Sequence, residues 1–540
     1  MWHSRKSSLI TRGTHIDTPD LPDELWWKII EFLPTEEVQR LYSVNRPFLE
    51  AAFQQRYRFV DLDGLPIDKR RFRDLERRLK DETLAKYVRV IHLRPTIFGA
   101  FLHHDIRGRR KWKRIFSNVL QKMNPMQPRP VFTGNLISNV LGNMRRGPSY
   151  TDRPGAKTQF DGKILYNLAS LTQLEVVCDY FEFWYSTGYT PLLGFLSAGW
   201  DSFGPNLQIL RLKMPLVVVY GILSSNPIAL KLPDLRELVL EVSMTCPPFV
   251  NYVPEGDVTQ LTTLLPLINN HSNTLRALTL HSLYSNDYLD LPLKHLSYMP
   301  SLDSFSISID EKTDCSALHD FLSLHQHQLR NLAIRLEQGF SDLTTPSSHW
   351  FQPPCFHVEL PGLRNLSLDG CVYPLHPAAA VDYVLRYNAE LTTLRLTAGT
   401  FSFAEVNDLI NGFVVRSKLR KLHIFTIYLS PDLLRFLSTT LPNLQDLTIM
   451  FHSILPQEGS EISLNAEATA DAFCEEMKNL YVPEWAVHSL FTSPLGYAKN
   501  LKCRTALAAA FPNILTFNGL EREDYLMPGS VPGFPYYSAS

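Results

Sequence analysis

Few residues in this chain stand where side-chain chemistry would need them. His103 and His104 precede Asp105, and both residue types ligate metals. Adjacent rings on a strand or helix point apart, however, so the pair cannot chelate without a distant third ligand. His325 and His327 lie two apart among glutamines, which suits a helix end or a repeat turn better than a metal site. Cys503 sits between Lys502 and Arg504, where flanking cations can lower a thiol pKa, but no histidine is near in sequence to take its proton. The sequence contains no H-E-x-x-H, no G-x-S-x-G and no G-x-x-x-x-G-K-[ST] phosphate loop. No catalytic residue, metal or cofactor is expected. The chain is expected to act by binding.

Two basic runs could attract a polyanion or a nuclear-import receptor: Lys69-Arg70-Arg71-Phe72-Arg73 and Arg107 to Arg114. Phe72 and Trp112 are interleaved, as base stacking would require. Asp74, Glu76, Asp81 and Glu82 dilute the first run, and solvated charge beside a loop explains both, so nucleic acid is not the expected partner. The totals agree. Across 540 residues the net charge is −1, with 45% hydrophobic and 20% charged residues, ordinary values for a folded soluble protein. The seven cysteines are scattered, with no C-x-x-C pair, which suits reduced thiols in the cytoplasm or nucleus. The N-terminus lacks the apolar run of a secretory signal. The longest apolar stretch, near Leu216 to Leu223, falls short of the roughly 20 residues that span a bilayer, so no membrane partner is expected.

The elements that would position a binding surface are legible as a repeat. The pattern L-x-x-L-x-L, with Ile, Val or Phe allowed at an anchor, starts at Leu171, Leu207, Leu235, Leu275, Leu302, Leu329, Leu363, Leu391, Leu419 and Leu444. Val88 (VRVIHL) reads as an early copy and Ile514 (ILTF) as a truncated last one. Most steps are about 25 to 40 residues, in or just beyond the range of leucine-rich solenoids. The last two anchors are two apart and share one face of a short strand, while the first lies in the turn entering it. Helical segments such as CSALHDFLSLHQHQ and DLLRFLSTTLPN intervene. One strand–helix unit is too thin to bury its apolar face, so neighbours must stack into a parallel sheet with helices outside. The intervening positions then line the concave face: Arg211, Lys213, Glu237, Glu241, His281, Asn331, Arg335, Asn365, Asp369, Arg395, Lys421, His423 and Asp446. Both charge signs occur, as a specific protein ligand would require. These are the candidate target-binding residues.

Ahead of the repeats lies LPDELWWKIIEFLPTEEVQRLYSVNRPFLEAAFQQRYRFVDL, residues 21–62. Leu25, Ile29, Ile30 and Leu33 recur at helical spacing, and Trp26 and Phe32 widen the stripe. Asp20 is a plausible N-cap with Pro22 early in the helix, Thr35 starts a second helix, and a third begins near Pro47. So short a segment has little interior of its own. Its apolar surplus implies docking onto another protein.

This segment resembles an F-box. Leu21-Pro22, Glu24-Leu25, Ile29-Ile30, Leu33-Pro34, Val38, Leu41, Val44-Asn45-Arg46, Phe48 and Ala52 fall where that motif places them. Asn45 stands where the family carries Cys or Trp. The later chain similarly resembles the leucine-rich-repeat family, although the Asn or Cys expected after the last anchor is met only by Cys371. The resemblance implies a non-catalytic substrate receptor of an SCF-type cullin–RING ubiquitin ligase. Leu21, Pro22, Leu25, Trp26, Ile29, Ile30, Leu33, Pro34, Val38, Leu41 and Val44 would contact the adaptor, and the solenoid would hold a target protein. The rival reading is a repeat scaffold with no ligase role, whose N-terminal helices merely cap the solenoid. The expected organisation is a leader at 1–18, an F-box at 19–62, linker helices and a possible first repeat at 63–123, and a flexible loop at 124–163. A solenoid over 164–520 follows, interrupted at 455–500, and then a frayed tail at 521–540.

Overall fold

The computed structural model describes residues 21–62, 77–94, 167–178, 192, 196, 199–216, 219, 232–243, 264–282, 290–310, 315–337, 350–370, 377–413, 418–460, 466–493 and 501–527. The expected leader, the loop at 124–163, both basic runs, the His103–His104 pair and Cys371 lie outside the described residues.

The described strands form one 15-stranded sheet in strict chain order. The strands are β1 (Phe59–Leu62), β2 (Val90–Leu93), β3 (Gln173–Val177), β4 (Ile209–Pro215), β5 (Glu237–Ser243), β6 (Ala277–Ser282), β7 (Ser304–Asp310) and β8 (Asn331–Glu337). They continue as β9 (Asn365–Gly370), β10 (Thr393–Phe401), β11 (Lys421–Leu429), β12 (Asp446–Ile454), β13 (Ser489–Ser493), β14 (Thr516–Phe517) and β15 (Leu520–Glu521). Each neighbouring pair from β1 to β14 is parallel, and β15 returns antiparallel to β14. This is the α/β leucine-rich-repeat-like architecture the spacing predicts. In the ten full copies of L-x-x-L-x-L no anchor is more than 2% exposed. The anchors meet helices that supply the other half of the core: Phe321 and Leu322 from α7 (Ser316–His325), Tyr383 and Val384 from α8 (Pro377–Leu385), and Leu409 and Ile410 from α9 (Phe403–Asn411). Helices α10 (Pro431–Thr440), α11 (Ala466–Met477) and α12 (Leu501–Ala510) continue the layer through Leu437, Phe473 and Leu507.

The strands are tied at the rim where the chain enters them. One carbonyl per repeat accepts two N–H groups of the next. Arg58 O takes Arg89 and Val90 N at 2.9 and 3.0 Å, and Arg236 O takes Arg276 and Ala277 N at 2.7 and 2.9 Å. Arg330 O takes Arg364 and Asn365 N at 2.8 and 3.0 Å, and the series runs on to His488 O with Leu515 and Thr516 N. These backbone groups are thus satisfied in the main chain itself.

The sheet extends further than the leucine pattern. Its first strand falls inside the segment assigned to the helical module, because Tyr57-Arg58-Phe59-Val60-Asp61-Leu62 is a repeat with Tyr at the first anchor; Val60 pairs with Ile91 and Leu62 with Leu93. The expected interruption at 455–500 is bridged by β13, whose Leu490 pairs with Leu447 of β12. There the third anchor is Thr492, buried and polar, and its N–H donates to Asn518 Oδ1 at 2.6 Å. Regular structure also continues through residues 521–526, inside the stretch expected as a frayed tail. Asn518 (φ 51°) and Gly519 (φ 74°) make a tight turn into β15, the left-handed pair that two-residue hairpins favour. The helix α13 (Arg522–Leu526) follows and buries Tyr525 against Phe517 at 5.0 Å between ring centroids.

Ahead of the sheet, α1 (Asp23–Glu31), α2 (Thr35–Arg40) and α3 (Arg46–Tyr57) form a small bundle. Pro22, rather than Asp20, is the N-cap of α1, and its carbonyl accepts from Leu25 and Trp26 N at 2.9 and 3.3 Å. The link to the sheet is direct, since α3 runs into β1 and the Phe53 ring meets Tyr87 at a tilt, 6.0 Å between centroids. Short helices α4 (Glu82–Ala85), α5 (Leu264–Asn270) and α6 (Asp290–Lys294) complete the elements used below.

Candidate protein-interaction surfaces

The helical bundle has a core of its own, separate from that of the sheet. Ile30, Val38, Phe48 and Ala51 are buried, with Trp26, Trp27, Leu33 and Leu41 packed around them. Trp26 meets Phe48 edge-on at 5.8 Å, a favoured aromatic geometry. Asn45 caps α3, its Oδ1 accepting from Phe48 N at 3.1 Å. That is the physical role of the residue at which the sequence departs from the F-box pattern: a short polar acceptor satisfies an N–H that Cys or Trp would leave open.

Helix α1 carries two apolar stripes, and only one turns inward. Trp26, Ile30 and Leu33 face the core. Leu25, Ile29 and Phe32, at the same spacing one position earlier, face out with 44%, 39% and 87% of their surface exposed. Leu21, Tyr42 and Val44 are exposed as well. Of the expected adaptor contacts, Leu21, Pro22, Leu25, Ile29, Pro34 and Val44 stand on the surface, and Trp26, Leu33 and Leu41 are half-buried. Ile30 and Val38 are corrected: both are interior and hold the bundle together. Phe32 and Tyr42, absent from the expected contacts, are exposed beside them. Phe32 is the most exposed large apolar side chain among the described residues.

On the sheet, the expected target-binding row lies on the face opposite the buried anchors and its charges are arranged in pairs. Arg211 donates from Nε and a terminal nitrogen to Glu237 Oε1 at 3.0 and 2.8 Å. Lys213 lies 3.4 Å from Glu241 and 3.8 Å from Glu175, which also meets His92 at 3.2 Å. Lys421 pairs with Asp446 at 2.8 Å, and Arg335 with Glu337 at 3.0 Å. Asn365 donates to Asn331 across the β8–β9 pair.

The densest knot surrounds Asp369. Its carboxylate accepts from Arg395 Nε and Ser367 Oγ, each at 2.7 Å, and from Thr397 Oγ1. Burial alone would raise its pKa, but the Arg395 guanidinium and the two hydroxyls outweigh burial and hold it below the usual carboxylate value. His281, bonded to Ser306 Oγ at 2.8 Å, is pushed down to about 4 by burial and by Arg335, against the pull of Asp369. His423 is likewise lowered to about 4, by burial first and then by Arg395. Both rings are therefore neutral at pH 7. The row is a pre-paired, largely half-buried polar surface.

The residues singled out for chemistry take structural roles. His325 is buried; its Nδ1 contacts Phe321 O at 2.8 Å and its Nε2 accepts from Met299 N at 3.1 Å. Cys503 is pushed up to about 12, by burial before all else, so the flanking cations do not activate it. No group of three or more His, Cys, Asp or Glu residues with metal-binding geometry occurs among the described residues. No described helix is long and apolar enough to cross a membrane.

No family model matches the sequence, and no curated protein does. Among solved structures, the chain is similar to one from the "Crystal structure of Rad7 and Elc1 complex in yeast", at 15% identity and a TM-score of 0.29. That match covers 67% of this chain and 95% of the other. A resemblance so distant carries no functional argument.

Proposed function

We propose that this chain is a non-catalytic substrate receptor of a cullin–RING ubiquitin ligase, working in the cytoplasm or nucleus. In this reading α1–α3 dock an F-box-binding adaptor and the open face of the sheet holds a target protein. The observation that carries the reading is the outward stripe Leu25, Ile29 and Phe32, with Leu21, Tyr42 and Val44 beside it, on a bundle whose own core is already filled. Each such side chain, once covered by a partner, contributes about 1.5–3 kcal/mol, so a handful suffices for a stable complex. The scaffold alternative requires these helices to spend their apolar surface capping the repeats, and among the described residues nothing covers this stripe. The chain's contribution to catalysis would be positional, raising the local concentration of target beside a charged ubiquitin carrier.

The test is co-elution of the full chain with purified adaptor. Ile29→Asp combined with Phe32→Asp alters exposed positions and should abolish co-elution while leaving the melting temperature within a few degrees. Lys421→Glu, on the open face, should leave co-elution intact. Undiminished co-elution of the double variant, or none for the wild type, would remove the ligase reading.

A further inference from the structure

We propose that the rim at which the chain enters its strands is a docking track for an extended acidic segment of a partner protein. The residue whose carbonyl carries the rim ladder is the one after the first anchor of each repeat. In the middle of the sheet it is Arg236, Arg276, Asp303, Arg330, Arg364, Thr392 and Arg420 in consecutive strands from β5 to β11. Each N–H in this series donates to the carbonyl of the one before, at 2.7 to 2.9 Å, so the side chains start from one stacked column. Neighbouring strands are about 4.8 Å apart, which places Arg236 and Arg420 about 29 Å from each other. All five arginines are exposed.

What separates this column from the open face is compensation. There, Arg211, Lys213, Arg335, Arg395 and Lys421 each have a carboxylate within 4 Å. Among the described residues none of the five rim arginines makes a salt bridge; the ion pair of this rim is Lys418 with Glu390 at 2.7 Å. Guanidiniums stacked at strand spacing with no carboxylate at ion-pair distance create a local positive potential, tempered at Arg364 by Glu390, that the net charge of −1 conceals. Their forks bind carboxylates in two-point fashion.

The pattern favours a polypeptide over a nucleic acid. The arginines come in neighbouring pairs, Arg236 with Arg276 and Arg330 with Arg364, separated by Asp303. A phosphate backbone carries a charge at every step and would be repelled at Asp303, whereas a peptide can present a neutral residue there. No aromatic side chain stands in the column to stack a base. At about 3.3 Å per residue the five-arginine span matches roughly nine extended residues.

The experiment is fluorescence anisotropy of a labelled ten-residue peptide, EEESSEEEEE, whose neutral serines can lie at Asp303, titrated with the full chain. A labelled oligothymidylate of equal charge runs in parallel. Peptide binding in 50 mM salt should weaken at least tenfold in 200 mM salt. It should weaken at least tenfold again in Arg330→Glu/Arg364→Glu, and by a smaller factor in Arg236→Gln/Arg276→Gln, with unchanged circular dichroism in both. Lys478→Glu, at the exposed end of α11 and outside both the rim and the open face, should bind as the wild type does. Absence of peptide binding, equal binding by the rim variants, or oligothymidylate binding tighter than peptide would each overturn the proposal.

Discussion

His271 and His325 perform one task two repeats apart. Each is buried near the end of its helix, contacts the carbonyl four residues back through Nδ1, and accepts through Nε2 from a backbone N–H of the preceding repeat. Replacing His325 by Phe keeps the ring but leaves Met299 N–H without its acceptor, and should cost about 1–3 kcal/mol in a urea melt. A loss below about 0.5 kcal/mol would show that the bond is dispensable. His281 and His423 add a pH dependence. The unfolded chain takes up protons on these rings near 6.5, while the folded chain resists until about 4. Their contribution is therefore complete above pH 6.5 and is lost as pH falls toward 4. The melting temperature should drop between pH 7 and pH 5, and His281→Gln should shallow that drop; an unchanged slope would contradict the assignment. None of this was visible in the one-dimensional chain, where His325 and His281 are two histidines among seventeen. Their role depends on a neighbour about 26 residues away, which only repeat stacking supplies.

At the scale of elements, helical spacing found α1 but could not orient it. Leu25–Ile29–Phe32 and Trp26–Ile30–Leu33 have the same period, and only the position of α3 decides which stripe is inside. Spacing alone therefore counts Ile30 and Val38 as contacts and leaves Phe32 out. The strands were legible wherever three apolar anchors stood in register. They were missed where one anchor was Tyr57, or the buried Thr492 with its partner Asn518. The closing hairpin makes a prediction of its own. Gly519 has φ 74°, which side chains with a Cβ resist, so Gly519→Val should lower stability by about 1–2 kcal/mol. Hydrogen exchange should quicken in β14 and β15 and leave β5 to β9 as in the wild type. Gly370 is a second tight point, because an added Cβ would sit 2.8 Å from Ala398 Cα. Gly370→Ala should therefore destabilise β9 and β10, through strain rather than lost conformational freedom.

For the whole molecule, strict chain order in the sheet means that each repeat leans only on its neighbours. Damage at one repeat should stay local. Leu394→Ala, at a fully buried anchor, should cost about 2–5 kcal/mol and expose β9 to β11 to proteolysis while leaving α1–α3 able to dock. Two separate cores divide the labour: the long one holds the sheet, and the small one presents an apolar face. The central claim is that this face docks an adaptor. Hydrogen–deuterium exchange of the full chain, with and without saturating purified adaptor, tests it most directly. Protection confined to residues 21–45, strongest in α1 and at Tyr42 to Val44, is the expected result. Protection that falls on the sheet instead, or none at all, would contradict it.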